Sequence, residues 1–119
     1  MPGKFEIKVA SDGQFYFRLK AGNGQTILAS EMYKAKPSAL NGIESVKKNS
    51  ALDERFETKV STNGKPYFVL KAGNHEVIGT SEMYESEAMR DNGINSVKNN
   101  APEATVADLS ASAAAAASA

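Results

Sequence analysis

The sequence predicts an α+β domain: two tandem β-β-β-α repeats fused about a pseudo-two-fold axis, with a mostly antiparallel sheet and two helices on one face. Three observations predict it. Leu19 to Asn23 recurs letter for letter as Leu70 to Asn74, and Ser30 to Tyr33 as Ser81 to Tyr84. The shift is 70 − 19 = 51 residues, and it carries 5–49 onto 56–100 without a gap, the mark of an internal repeat. Apolar and polar residues alternate with period two around Asp-Gly and Asn-Gly turns, which is hairpin patterning. Each repeat then ends in a stretch with apolar residues at helical spacing.

Length decides how the repeats combine. The chain has 119 residues, the size of one ordinary domain. A single repeat of roughly 45 residues is near the lower limit for a self-sufficient core, and there is no cysteine to staple it. The halves are therefore expected to share one core over residues 1–109, made of repeat 4–50 and repeat 55–101, as fused subunits of a homodimer would. Because the duplication supplies an internal pseudo-dimer, the chain is expected to be a monomer.

In the first repeat, Phe5, Ile7 and Val9 alternate with Glu6 and Lys8, a strand with one buried face. Asp12-Gly13 turns the chain, and Phe15, Phe17 and Leu19 then alternate with Tyr16, Arg18 and Lys20. Gly22-Asn23-Gly24 makes a second turn, since glycine and asparagine accept positive φ cheaply. A third strand at about 25–30 leads through Glu31-Met32-Tyr33 to a helix over about 37–49. Pro37 suits the first helical turn. Ala39, Ile43, Val46 and Ser50 form one stripe, and Lys47 and Lys48 suit the negative pole of the helix dipole. Gly42 and its counterpart Gly93 interrupt the helices at a cost of about 1 kcal/mol each, which predicts close packing there.

The second repeat keeps the plan. Phe56 and Val60 are expected to point inward, with Thr58 in place of Ile7. Asn63-Gly64 keeps the turn, Pro66 replaces Phe15 at a strand's first residue, and Phe68 and Leu70 remain inward. Ser86 is a better helix N-cap than Ala35, and Ile94, Val97 and Ala101 continue the stripe. The crossover at 50–55 is too short to be a flexible linker. Residues 104–109 are expected to add a short strand, and 110–119, all alanine and serine, to form a disordered tail.

The runs at 15–24, 27–33, 41–49 and 72–79 resemble the YegP-like family, small bacterial proteins with one or two copies of a domain of unknown function. The likeness covers about residues 4–109. It implies β-β-β-α units joined into one sheet with helices packed on it, and it implies no catalytic or binding residues.

The sequence offers little chemistry to an enzyme. His75 is the single histidine and replaces Gly24 in a turn, where a general base lacks a pocket and a partner. There is no cysteine, no metal-loop spacing, no Gly-x-Ser-x-Gly elbow and no phosphate loop. The expectation is a non-enzyme with no cofactor and no metal. With 14 basic and 14 acidic residues, net charge is zero, against a strong electrostatic drive to nucleic acid or membrane. No stretch is long enough to span a bilayer and the start lacks a signal-like apolar run, so the expected compartment is the cytoplasm.

Two residue sets remain as candidate sites. Lys8, Tyr16, Arg18 and Lys20, echoed by Lys59, Tyr67 and Lys71, alternate outward on the sheet. Tyrosines interleaved with basic residues can hold single-stranded nucleic acid by stacking and phosphate contacts, or hold a protein partner. Glu6 and Glu57 share that face, and a solvated sheet face reads the same way. Glu31 and Tyr33, with Glu82 and Tyr84, follow the third strand of each repeat and could form a ligand rim. The plainer expectation is that Met32 and Met83 plug the core while each tyrosine staples the strand–helix turn. Asn41 and Asn92, beside the helix glycines, are expected to bond across the helix pair. The function expected is a binding or interaction module; the alternatives are single-stranded RNA binding on the sheet face, and a small-molecule or enzymatic site at the Glu/Tyr rims.

Overall fold

The computed structural model describes residues 3–109; the Ala/Ser tail lies outside them. The elements run β1 (Lys4–Val9), β2 (Phe15–Lys20), β3 (Thr26–Ala29), α1 (Lys36–Asn49), β4 (Phe56–Val60), β5 (Pro66–Lys71), β6 (Val77–Thr80), α2 (Glu87–Asn100) and β7 (Thr105–Asp108). A short 3₁₀ turn follows each helix. The strands form one seven-stranded sheet in the order β4-β5-β6-β3-β2-β1-β7. Each repeat is an antiparallel meander, and the two meet antiparallel at β3 and β6 through the pair Ala29↔Thr80. These residues are equivalents, since 80 − 29 = 51, so the pseudo-two-fold axis passes through the junction. The expected C-terminal strand is present as β7, paired parallel to β1.

Alternation places the core. Phe5, Ile7, Phe17, Leu19, Phe68 and Leu70 are fully buried beneath Ile43 and Val46 of α1 and Val97 of α2, each large side chain contributing about 1.5–3 kcal/mol on burial. A register shift after Leu19 in the β2–β3 pair, repeated after Leu70 in β5–β6, marks a bulge in each repeat. It allows the neighbours Ile27 and Leu28 both to be buried.

The caps and turns follow the sequence. The Ser86 hydroxyl accepts from the Met89 N–H at 3.2 Å, whereas Ala35 has no side-chain cap. Gly13, Gly24 and Gly64 take positive φ, and His75 does so in place of a glycine at φ 70°. Pro66 costs one bond: Phe15 and Tyr33 exchange both backbone bonds at 2.7 Å, while Pro66 can only accept from the Tyr84 N–H at 2.8 Å.

Three expectations fail. Val60 does not point into the core but is 66% exposed, because β4 is an outer strand and Val60 lies at its far end. Met32 and Met83 do not plug the core; both are about half exposed. Tyr33 and Tyr84 hold the inward positions instead, and successive side chains in an extended segment point to opposite sides. Asn41 and Asn92 are both exposed, and no hydrogen bond joins them among the described residues. The buried helix asparagine is Asn49, whose amide donates to the Ser45 carbonyl at 2.8 Å; Asn100 does the same to Ser96 at 2.7 Å.

Candidate interaction face

The helices cover one face of the sheet and leave the other open. Across the open face runs a ladder touching every strand: Glu57, Val69, Thr80, Ala29, Arg18, Glu6 and Ala107 are successive cross-strand partners. Equivalent positions of the two repeats mirror one another about its centre. The basic candidates therefore fall into two groups rather than one stripe. Lys8, Tyr16, Arg18 and Lys20 lie on β1 and β2, while Lys59, Tyr67 and Lys71 lie on β4 and β5. Strands β3 and β6 separate them.

Most of this positive charge is already engaged. Glu6 is 6% exposed and lies 3.1 Å from Lys20, 3.3 Å from Lys4 and 3.9 Å from Lys8. Burial pushes its carboxyl up, but the bonds and charges of Lys20 and Lys4 outweigh that and hold it below the ordinary value. Glu57 repeats the device on the other flank with Lys71 and Lys59. Its pKa is lowered, first by the Lys71 bond and then by the Lys59 charge.

Arg18 differs. It is exposed, and among the described residues no carboxylate lies within ion-pair distance of it. Its guanidinium rests 5.4 Å from the centre of the Tyr16 ring, a cation–π contact that orients the group without neutralising it. Arg18 also lines a shallow groove of about 220 Å³ over the β3–β6 junction, with Thr26, Thr80, Ser81 and Glu82. The equivalent of Arg18 in the second repeat is Val69, so the guanidinium is present once.

The Glu/Tyr rims separate in space. Tyr33 and Tyr84 turn inward, each stacked nearly parallel on a core phenylalanine: Phe17 at 6.2 Å and Phe68 at 6.3 Å. Their hydroxyls sit over Gly42 and Gly93, where an added Cβ would collide with them. Burial, then the charges of Glu31 and Glu76, pushes the Tyr33 phenol up; burial, then Glu82, does so for Tyr84. Glu31 and Glu82 are exposed, and of the four rim residues only Glu82 reaches the groove beside Arg18. Tyr84 instead lines a second cleft of about 220 Å³, between α2 and the β2–β3 turn, with Asn23, Gln25, Met89, Asn92 and Ser96.

Sequence reasoning passed over Ser30 and Ser81. Each hydroxyl accepts the N–H of the core phenylalanine (Phe17 at 2.8 Å, Phe68 at 2.9 Å) and donates to the following glutamate carbonyl at 2.8 Å. These bonds fix the chain direction at the groove. Their recurrence in both Ser-Glu-Met-Tyr runs was the available signal. His75 is exposed at its turn, and among the described residues no group of three or more His, Cys, Asp or Glu is placed to hold a metal. No helix among them is long and apolar enough to cross a membrane.

The chain matches the model of a domain of unknown function, DUF1508, twice, at residues 10–57 and 61–108. It is 63% identical over 109 residues to a UPF0339 protein of Acinetobacter baylyi, covering 92% of this chain and 98% of that one. It is 55% identical over 108 residues to the UPF0339 protein YegP of Escherichia coli, covering 91% and 98%. The solution NMR structure of a UPF0339 protein from Shewanella oneidensis matches with a TM-score of 0.88 at 53% identity, over 93% of this chain and 94% of that one. That of E. coli YegP, described as a protein of unknown function, also gives 0.88, at 54% identity over 92% and 95%. With two copies of the domain and this likeness over nearly its whole described length, the chain belongs to the YegP-like UPF0339 family.

Proposed function

We propose that this protein is a non-enzymatic binding module that works through the helix-free face of its sheet, and that its partner is a protein segment presenting a carboxylate. The observation that carries this reading is Arg18. The other cations of the candidate face lie near Glu6 or Glu57; Arg18 is instead held by a ring. A planar guanidinium so oriented suits a bidentate carboxylate, and the adjoining groove adds the hydroxyls of Thr26 and Thr80 with Glu82 as an acceptor. The same engagement of the lysines tells against single-stranded nucleic acid, which needs a continuous cationic track. The bacterial relatives and the absence of cysteine support a bacterial cytoplasmic setting.

Peptide display against the immobilised protein, with parallel selection on Arg18→Ala, tests the reading. Peptides rich in Asp or Glu that are lost on Arg18→Ala support it. Peptides retained equally by both proteins overturn it. A second reading rests on the cleft beside Tyr84, whose lining of amides, hydroxyls and Met89 suits a small neutral polar molecule. Amide shifts of Asn92 and Ser96 in a fragment screen would distinguish it.

A further inference from the structure

The internal two-fold treats the two outer flanks of the sheet unequally. The outer edge of β1 is covered by β7. That of β4, its equivalent, pairs with no strand among the described residues. The Ser61 N–H bonds the Lys65 carbonyl at 2.8 Å, so by antiparallel alternation Lys59 and Glu57 also direct their backbone groups to β5. Thr58 and Val60 then direct theirs outward. The Phe56 N–H is taken by the Asp53 carbonyl, leaving its own carbonyl available. Such an edge, ending in a valine that is 66% exposed, is a template for another strand.

The sequence of that edge is self-complementary. Read antiparallel against itself about Thr58, Phe56-Glu57-Thr58-Lys59-Val60 sets Phe56 opposite Val60, Glu57 opposite Lys59, and Thr58 opposite Thr58. We propose that β4 is a self-association surface, on which a second copy of this chain pairs its own β4 antiparallel about Thr58. The hydrogen bonding fits this register. Each Thr58 N–H meets the other Thr58 carbonyl, and each Val60 N–H meets the other Phe56 carbonyl. The side chains fit as well. Both Phe56–Val60 pairs fall on the helix-bearing side and cover the exposed valine, while both Glu57–Lys59 pairs fall on the open face. Apolar, opposite-charge and Thr–Thr cross-strand pairs are the favourable kinds, and a two-fold axis makes each occur twice apart from the central one. The result is one continuous sheet through two molecules. The expectation of a monomer rested on the internal pseudo-dimer that the duplication supplies, and its junction at β3 and β6 uses neither outer edge.

Sedimentation equilibrium of the full chain from about 10 μM to about 1 mM tests this, the range in which an interface below ~1,200 Å² associates. The proposal expects a monomer–dimer equilibrium with a dissociation constant on the order of 100 μM. Thr58→Pro removes an outward N–H that the monomer does not use, and should weaken the dimer at least ~tenfold without lowering the melting temperature. Lys59→Glu should weaken it too, and Glu57→Lys combined with Lys59→Glu should restore it. If Thr58→Pro misfolds, concentration-dependent slowing of amide exchange at Thr58 and Val60 in the unaltered protein decides the matter. A chain monomeric throughout the range, including one whose edge accepts only a different extended peptide, overturns the proposal. So does a dimer indifferent to both Lys59→Glu and Thr58→Pro.

Discussion

Leu28 fills the space that its own repeat-equivalent, Gly79, leaves vacant. An ideal Cβ on Gly79 would lie 2.5 Å from Leu28 Cδ2 and 2.6 Å from Cγ, beside the β3–β6 junction where the axis passes. Two leucines there would collide and two glycines would leave a hole, so the repeats have become complementary rather than identical. Gly79 is not among the positive-φ glycines; what it supplies is space. Gly79→Leu should therefore destabilise strongly, and Leu28→Gly should cost on the order of 2–5 kcal/mol through the cavity it opens. The exchange Leu28→Gly with Gly79→Leu should recover part of both losses. Urea melts of the four proteins give the coupling energy, and strict additivity would contradict the account.

The tyrosine–glycine contacts make a second test. Gly93→Ala improves helix propensity by up to about 1 kcal/mol, yet it drives a methyl into the Tyr84 ring and hydroxyl. A net destabilisation of about 1–3 kcal/mol is expected from overpacking. Adding Tyr84→Phe should recover part of it, because the hydroxyl is the nearest obstruction. Thermal denaturation of the single and double variants reads this directly.

The pH dependence has opposite causes at its two ends. Glu6 and Glu57 titrate below the ordinary glutamate value of 4.5 in the folded chain. Their stabilisation is therefore complete above that value and is lost as pH falls through the folded values. Glu6→Gln should cost about 1–3 kcal/mol at neutral pH, since it leaves lysines around a buried neutral amide, and should flatten the acid limb of a pH–stability curve. Tyr33 and Tyr84 titrate above 10.0. Their contribution is present below pH 10.0 and fades as pH rises through the folded values. Tyr33→Phe with Tyr84→Phe should flatten the alkaline limb.

His75 holds φ 70° where the first repeat uses Gly24 at φ 86°. A side chain in the left-handed region costs about 1–2 kcal/mol, partly offset by the greater chain entropy that glycine loses on folding. His75→Gly should raise stability by about 0.5–1 kcal/mol and leave the amide shifts of Tyr16, Arg18 and Glu82 in place. A loss of stability would give His75 a structural role that its exposed position does not supply.

Much of the fold was legible because the duplication states it twice. Phe5, Phe17 and Leu19 alternate as they pack, Asp-Gly and Asn-Gly turn where expected, and Ser86 caps its helix. Val60 misled because alternation reports which side a residue faces and not whether anything covers that side. Met32 misled for the converse reason: its hydrophobicity suggested burial, but the Phe15–Tyr33 pairing fixes the parity of the segment. On the candidate face, Tyr16 and Arg18 were visible as neighbours of opposite kinds on one strand. The closeness of Lys20 to Glu6 depends on hairpin register, and the groove at Glu82 depends on the meeting of two repeats. Neither lies within any one stretch of sequence.

The reading of the open face as a protein-binding surface with internally compensated charge is tested most directly by amide-shift titration with short oligo-U and oligo-dT, at low and physiological salt. Lysines compensated by Glu6 and Glu57 predict, at physiological salt, no saturable shifts at Tyr16, Arg18, Lys20 or Tyr67. Saturable shifts confined to those residues, persisting at physiological salt and abolished by Arg18→Ala, would contradict it and make the face a single-stranded nucleic-acid site.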